Sequence, residues 1–203
     1  EPISILSRLT ELKGKRRGIT YIDSLNAKEY PFFSDEEMRG VVDAESVFFG
    51  HFCRQFQKNG SISFIPNHLG RGFKDKLWEI KTYHPERPIV YAIQATPMDE
   101  HGYFSTGTVG MSNRMLVENA DMVIIEIDEK MPRTFGNTYI HIDEVSCVYQ
   151  GPNEMFYMPE RPLTDEDRQI GRFIADLIED GSTLQLGIGG IPNAVAASLK
   201  DKH

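Results

Sequence analysis

The segment Leu184-Gln185-Leu186-Gly187-Ile188-Gly189-Gly190-Ile191-Pro192-Asn193-Ala194-Val195 carries the strongest chemical signal in the chain. Three glycines fall within four residues, after an apolar run and before a proline placed to open a helix. Glycines let a ligand approach the backbone, and the free N–H groups at a helix start attract an anion. A phosphate, a pyrophosphate or a developing oxyanion would fit. The dinucleotide fingerprint G-x-G-x-x-G fails at its third glycine, where Pro192 stands, and no G-x-x-x-x-G-K-S/T run occurs. A tight strand-to-helix turn without a ligand is the plainer alternative.

A second polar cluster, Asp99-Glu100-His101, follows the apolar run Ile89–Ala95. Adjacent residues on a turn rarely converge on one ion, and neither H-E-x-x-H nor C-x-x-C spacing is present, so a hydrogen-bonded turn is expected and no metal site. Asn67-His68, after the run 61–66, reads equally as a turn or as part of a cleft wall. Nucleophiles are scarce. There is no G-x-S-x-G elbow, and Cys53 and Cys147 lack neighbours that would flag activation.

Positioning these loops requires strands and helices in alternation. Strands are expected at 19–22, 61–66, 89–95, 122–127, 139–148 and 183–186, and helices at 3–12, 72–81, 112–119, 164–181 and from Pro192 onward. Ser34 and Glu37 have the S-x-x-E spacing of a capping box. Phe48, Phe49, Phe52 and Phe56 are expected in the core. Ile170, Phe173, Ile174, Leu177 and Ile178 repeat at i, i+3, i+4, i+7 and i+8, the pattern of a helix with one buried face. Unbroken apolar runs such as Ile89–Ala95 suit strands buried on both sides. The rhythm predicts an α/β fold, an open, mostly parallel sheet flanked by helices, with 61–66, 89–95, 122–127 and 183–186 at its centre. The glycine loop would then lie beyond the carboxyl end of a strand, where such sheets bind ligands.

Composition bounds the function. The 203 residues carry 30 acidic and 22 basic side chains, a formal charge of −8, which argues against a nucleic-acid partner. No apolar run approaches the roughly 18 residues of a membrane span, and no signal peptide opens the chain. Two cysteines exclude a disulfide framework and suit a cytoplasmic protein. The opening Glu1-Pro2, without Met, reads as processing or as a piece of a longer protein.

Residues 178–195 together resemble the acetyl-CoA hydrolase/transferase family, in particular its 4-hydroxybutyrate and butyrate CoA-transferases. Pro97-Met98-Asp99-Glu100-His101-Gly102-Tyr103-Phe104, Met131-Pro132-Arg133-Thr134-Phe135-Gly136 and Ile140-His141-Ile142-Asp143-Glu144-Val145 agree with it. The similarity runs in order through residues 85–203 and more loosely through 1–84. It implies that 1–203 is the N-terminal α/β domain of a protein about twice as long, whose C-terminal domain lies outside this chain. It also implies transfer of CoA between an acyl-CoA and a small carboxylate of the acetate, butyrate or 4-hydroxybutyrate type, through a glutamyl-CoA thioester. CoA is then a substrate and no cofactor is expected; an acetyl-CoA hydrolase or a non-catalytic anion-binding module are the alternatives, and a homo-oligomer is compatible with all three. The resemblance places Gly187, Ile188, Gly189, Gly190 and Ile191 on CoA. The family's catalytic Glu follows the loop by some two dozen residues, so no residue among these 203 is assigned its role, and the chain alone is expected to be inactive.

Overall fold

The apolar run Met122–Ile127 is a strand over its whole length in the computed structural model, which describes residues 1–24, 28–155, 157 and 161–202. Its neighbours are likewise short parallel strands separated by helices. In chain order the elements are α1 (Ile3–Arg8), β1 (Ile19–Asp23), α2 (Pro31–Ser34), β2 (Val42–Ser46), α3 (His51–Gln57), β3 (Ile62–Phe64), α4 (Gly72–Tyr83), β4 (Val90–Ala95), β5 (Tyr103–Ser105), α5 (Asn113–Asn119), β6 (Met122–Ile127), β7 (Tyr139–His141), β8 (Cys147–Gln150), α6 (Asp165–Asp176) and α7 (Gly190–Ser198). The chain divides into two compact units, Glu1–Phe156 and Tyr157–His203. No helix among the described residues is long and apolar enough to cross a membrane.

The first unit is α/β and mostly parallel, but its strands form two open sheets rather than one. One has the parallel order β1-β2-β3, the other β4-β6-β8, and β5 pairs with β7 in an antiparallel ribbon. Each three-stranded sheet buries its own apolar cluster, and a count of strands cannot tell which pairs share a sheet. The first cluster centres on Tyr30, Phe33, Met38, Val42 and Phe56; the second on Ile93, Ala95, Phe104, Val123, Ile125 and Ile140. Of the expected aromatic core, Phe56 is buried and Phe48 is 52% exposed; Tyr30, Phe32 and Phe33 fill the place instead.

Helix α1 ties the two sheets together. Its Leu6 enters the first cluster, while its opening N–H groups meet Glu126 of β6. Glu126 is fully buried and accepts from Ile3 N (2.9 Å), Ser4 N (2.8 Å), Gln94 Nε2 (3.0 Å) and Tyr149 Oη (2.7 Å). A carboxylate at the positive end of a helix, with every donor paired, makes this burial tolerable. Arg87 adds a second tie, donating from Nη2 to Gly18 O (2.7 Å) and Thr20 Oγ1 (2.9 Å).

Two strand expectations are corrected. Tyr139–Val148 is not one strand but β7, a 3-10 turn Ile142–Glu144 and β8. The turn is closed by side chains: His141 Nδ1 accepts from Asp143 N and Glu144 accepts from His141 N (3.1 Å). Thr183–Leu186 forms no strand: among the described residues its backbone makes no hydrogen bond. The Ser34 cap also shifts by one residue, since Asp35 rather than Ser34 accepts from Glu37 N (2.9 Å).

The second unit is a helix pair. Thr164 caps α6 as expected: its Oγ1 accepts from Asp167 N (3.1 Å) while Asp167 Oδ2 accepts from Thr164 N (3.0 Å). The helix ends at Asp176, before Gly181. Its buried residues are Asp167, Gly171 and Ala175, and Ile170, Phe173, Ile174 and Leu177 point outward. The expected buried face is therefore the exposed one. Helix α6 meets α7 through its small side chains, and a Cβ on Gly171 would stand 2.7 Å from the Ala194 carbonyl carbon.

Two stability outcomes follow from these contacts. Replacing Glu126 by Ala strands four donors and should cost about 3 kcal/mol in urea unfolding, whereas Glu126→Gln keeps an acceptor and should cost closer to 1 kcal/mol. Equal losses from both would show that the carboxylate does not hold α1. Gly171→Ala should lower the stability of the second unit by about 1–3 kcal/mol, because backbone rather than a flexible side chain must give way. An unchanged melting curve for that variant would mean that α6 and α7 do not cross so closely.

Candidate functional site

Helix α7 opens without a protein cap. Gly189 precedes it with φ 142°, a conformation that L side chains rarely adopt. Proline is its third residue, two later than the sequence suggests. Asn193 N bonds to Gly189 O (3.1 Å), which starts the helical ladder. Among the described residues none of the N–H groups of Gly187, Ile188, Gly189, Gly190 and Ile191 donates a hydrogen bond. All five residues are at least partly accessible, and Ile188 is 87% exposed. Free N–H groups in this arrangement form a site of positive potential.

A side chain that sequence spacing does not flag reinforces it. Arg161 Nη2 lies 2.7 Å from Asp167 Oδ2, and it occupies the space a Cβ on Gly190 would need, at 2.7 Å. The guanidinium thus stands at the start of α7, and two-thirds of its side chain is exposed. The Thr164 N–H, the Thr164 hydroxyl and the Arg161 charge hold the Asp167 carboxyl below the usual carboxylate range. Arg161, Pro162, Leu163, Asn193 and Ala196 line a cleft of about 540 Å³. Arg161 lines this cleft, whereas residues 187–191 do not. Arg161 lies 26 residues before Gly187, so no local motif could have pointed to it.

The other polar clusters turn out to shape loops. Asp99 Oδ1 accepts from His101 N (3.0 Å) and Tyr103 N (2.9 Å), and Oδ2 accepts from Arg133 Nη1 (2.9 Å). The Tyr103 and His101 N–H groups and the Arg133 charge keep its carboxyl below the usual range. Arg133 Nη2 also reaches Thr96 Oγ1 (3.2 Å), Pro97 O (3.1 Å) and Tyr103 O (3.1 Å), so it clamps the loop that follows β4. Glu100 and His101 point to solvent. Among the described residues no three His, Cys, Asp or Glu side chains could share a metal ion. Asn67 Oδ1 accepts from His68 N (2.7 Å) and His68 O from Arg71 N (2.8 Å), turning the chain into α4. Cys53 is buried and Cys147 exposed, and neither forms a disulfide.

Comparison with known proteins gives this geometry a lineage. Residues 9–158 match the acetyl-CoA hydrolase/transferase N-terminal domain. The chain is 30% identical to the 4-hydroxybutyrate coenzyme A transferase of Clostridium kluyveri over its whole length, covering 46% of that protein. It is 32% identical to the succinyl-CoA:cyclohexane-1-carboxylate CoA transferase of Geobacter metallireducens, with 85% of this chain and 38% of that protein aligned. The crystal structure of RipA from Yersinia pestis superimposes with a TM-score of 0.83 at 25% identity, over all of this chain and 48% of that one. The chain thus spans less than half the length of the relatives it matches. With its N-terminal domain matched and both curated relatives CoA transferases, the chain belongs to the acetyl-CoA hydrolase/transferase family.

Proposed function

We propose that this chain is the N-terminal portion of an acyl-CoA:carboxylate CoA-transferase, acting in the cytoplasm on an acyl-CoA and a small carboxylate such as acetate, butyrate or 4-hydroxybutyrate. The observation that carries the reading is the run of N–H groups at residues 187–191, none of them paired among the described residues, with the Arg161 guanidinium against Gly190. Gly187, Ile188, Gly189, Gly190 and Ile191 bind CoA through the backbone, and Arg161 adds charge. The named activities of the curated relatives supply the reaction.

In that reaction a carboxylate of the enzyme attacks the thioester carbonyl, and the CoA thiolate leaves as a mixed anhydride forms. The thiolate then attacks the enzyme's own acyl carbon, releasing the product acid and leaving a glutamyl-CoA thioester. The acceptor carboxylate reverses both steps. Each attack places negative charge on a carbonyl oxygen, and N–H groups fixed in advance stabilise it without reorganising. The attacking Glu is not among residues 1–203 in this reading, so the chain supplies binding rather than the nucleophile.

Gly187 gives the cleanest test of the loop. Its φ needs no glycine, and a Cβ there would meet only Pro192 Cγ at 3.8 Å. Gly187→Val should therefore leave the melting temperature unchanged while weakening CoA binding about 10-fold or more in calorimetry, as a side chain fills the ligand's approach. Arg161→Gln should weaken it several-fold, and less so at high salt, where the charge is screened. The 203-residue chain with acetyl-CoA should form no hydroxylamine-sensitive thioester. Unchanged affinity in Gly187→Val would mean that the loop is only a turn, and turnover by the chain alone would mean that the nucleophile lies within it.

A further inference from the structure

Positive charge gathers at one end of the first unit, in a chain whose formal charge is −8. Lys15, Arg16 and Arg17 occupy an exposed loop that leads into β1 and is turned at Gly14 (φ 73°) and Gly18 (φ 75°). Hydrogen bonds bring two further cations to it. Gly18 N bonds to Gly40 O (3.0 Å), and Arg39 Nη2 donates to Asn59 O, which draws Lys58 to the same end of the sheet β1-β2-β3. Arg87 Nη2 reaches Gly18 O (2.7 Å). Among the described residues none of Lys15, Arg16, Arg17, Lys58 and Arg87 is in an ion pair. Neighbouring acids have donors of their own: Glu11 bonds to Arg8 (2.7 Å), Asp43 to Gly40 N (3.2 Å), and Glu37 pairs with Lys13. Aromatic rings end the helix that leads to Arg87. Tyr83, the last residue of α4, meets Trp78 edge to face with centroids 5.8 Å apart, and the two are 64 and 61% exposed.

We infer that this end of the first unit is a docking surface for an anionic phospholipid bilayer. The five cations meet headgroup phosphates, and Trp78 and Tyr83 enter the headgroup layer. Two features select this occupant. The rest of the chain is acidic, so a negatively charged plane attracts this end and repels the others, which sets orientation as well as affinity. The two rings cross at 88°, so successive bases of a nucleic-acid strand could not stack on both. Immersion at headgroup level sets no condition on their mutual angle, and it suits rings with an apolar body and a polar tip. Long Lys and Arg stems let the charges reach the phosphates while the backbone stays in water. Peripheral attachment of this kind needs no spanning helix, and it is independent of where CoA binds.

Co-sedimentation with lipid vesicles tests it. The protein should bind vesicles of phosphatidylglycerol mixed with phosphatidylcholine at low salt, leave them at high salt, and ignore vesicles of phosphatidylcholine alone. Trp78 is the only tryptophan in the sequence, so its emission reports on this surface and should shift to shorter wavelength on the anionic vesicles. Replacing Lys15, Arg16 and Arg17 together by Gln should leave the melting temperature unchanged, because among the described residues those side chains make no hydrogen bond or ion pair. It should weaken vesicle binding about 100-fold, since each cation near such a surface is worth roughly a factor of five. The same change of charge made at Arg168, Arg172 and Lys200 should leave binding nearly as it was. If the first triple variant fails to fold, the salt and lipid dependence of the parent and its Trp78 emission decide. Equal binding to both kinds of vesicle, equal losses from the two triple variants, an emission that does not move, or tighter binding to polyuridylate or polyglutamate than to anionic vesicles would each overturn the inference.

Discussion

The first turn of a helix leaves N–H groups with no partner inside the helix, and how they are satisfied governs much of this structure. Helix α1 delivers Ile3 N and Ser4 N to the buried Glu126, and the cost of burying that charge is offset by four donors. Helix α6 answers locally, with Thr164 and Asp167 exchanging hydrogen bonds in a capping box. Helix α7 has neither solution. Its flanking residues are glycines, which offer no side-chain acceptor, and the ionic side chains beside Gly190 are the paired Arg161 guanidinium and Asp167 carboxylate.

The same constraint links site and scaffold in the second unit. Asp167 caps the start of α6 and also pairs with Arg161, so the carboxylate that opens one helix holds the cation at the start of the other. That arrangement demands a close approach of α6 and α7, and the absent side chain of Gly171 against Ala194 permits it. Gly190 serves in the same way, since any side chain there would displace the guanidinium. These glycines make room rather than bend the chain; Gly189, at φ 142°, is the one that bends it.

Much of this was legible in the sequence, unevenly. The runs Val90–Ala95 and Met122–Ile127 marked two parallel strands that pair with each other, but only Met122–Ile127 is the middle strand of its sheet; Val90–Ala95 lies at an edge. β2 escaped notice although it is the middle strand of its sheet: Val42-Asp43-Ala44-Glu45-Ser46 buries Val42, Ala44 and Ser46, and the alternation is masked by two acids and a serine. Ser46 is buried because its hydroxyl donates to Asp23 Oδ1 (2.7 Å) across the strand pair, a partnership no local pattern encodes. The glycine loop was visible as a motif, whereas Arg161 was not, since it reaches the loop only through the folding of α6 onto α7. Pairing of strands into two sheets was hidden for the same reason: periodicity records which residues are covered, not by what.

The misread face of α6 sharpens that last point. Its apolar residues recur with a helix's period as clearly as in any core helix, so the pattern was real even though the partner that covers them is not α7. Helix α7 meets α6 where Gly171 and Ala175 lie, because only small residues allow backbones to approach this closely while Asp167 keeps its hold on Arg161. A helix can satisfy both demands only by spending opposite sides on different neighbours. The small side holds the start of α7 beside Arg161, and the large side faces away from α7. Periodicity in α6 therefore records an apolar stripe that α7 does not cover, while the glycine loop is built against the small-residue side of the same helix.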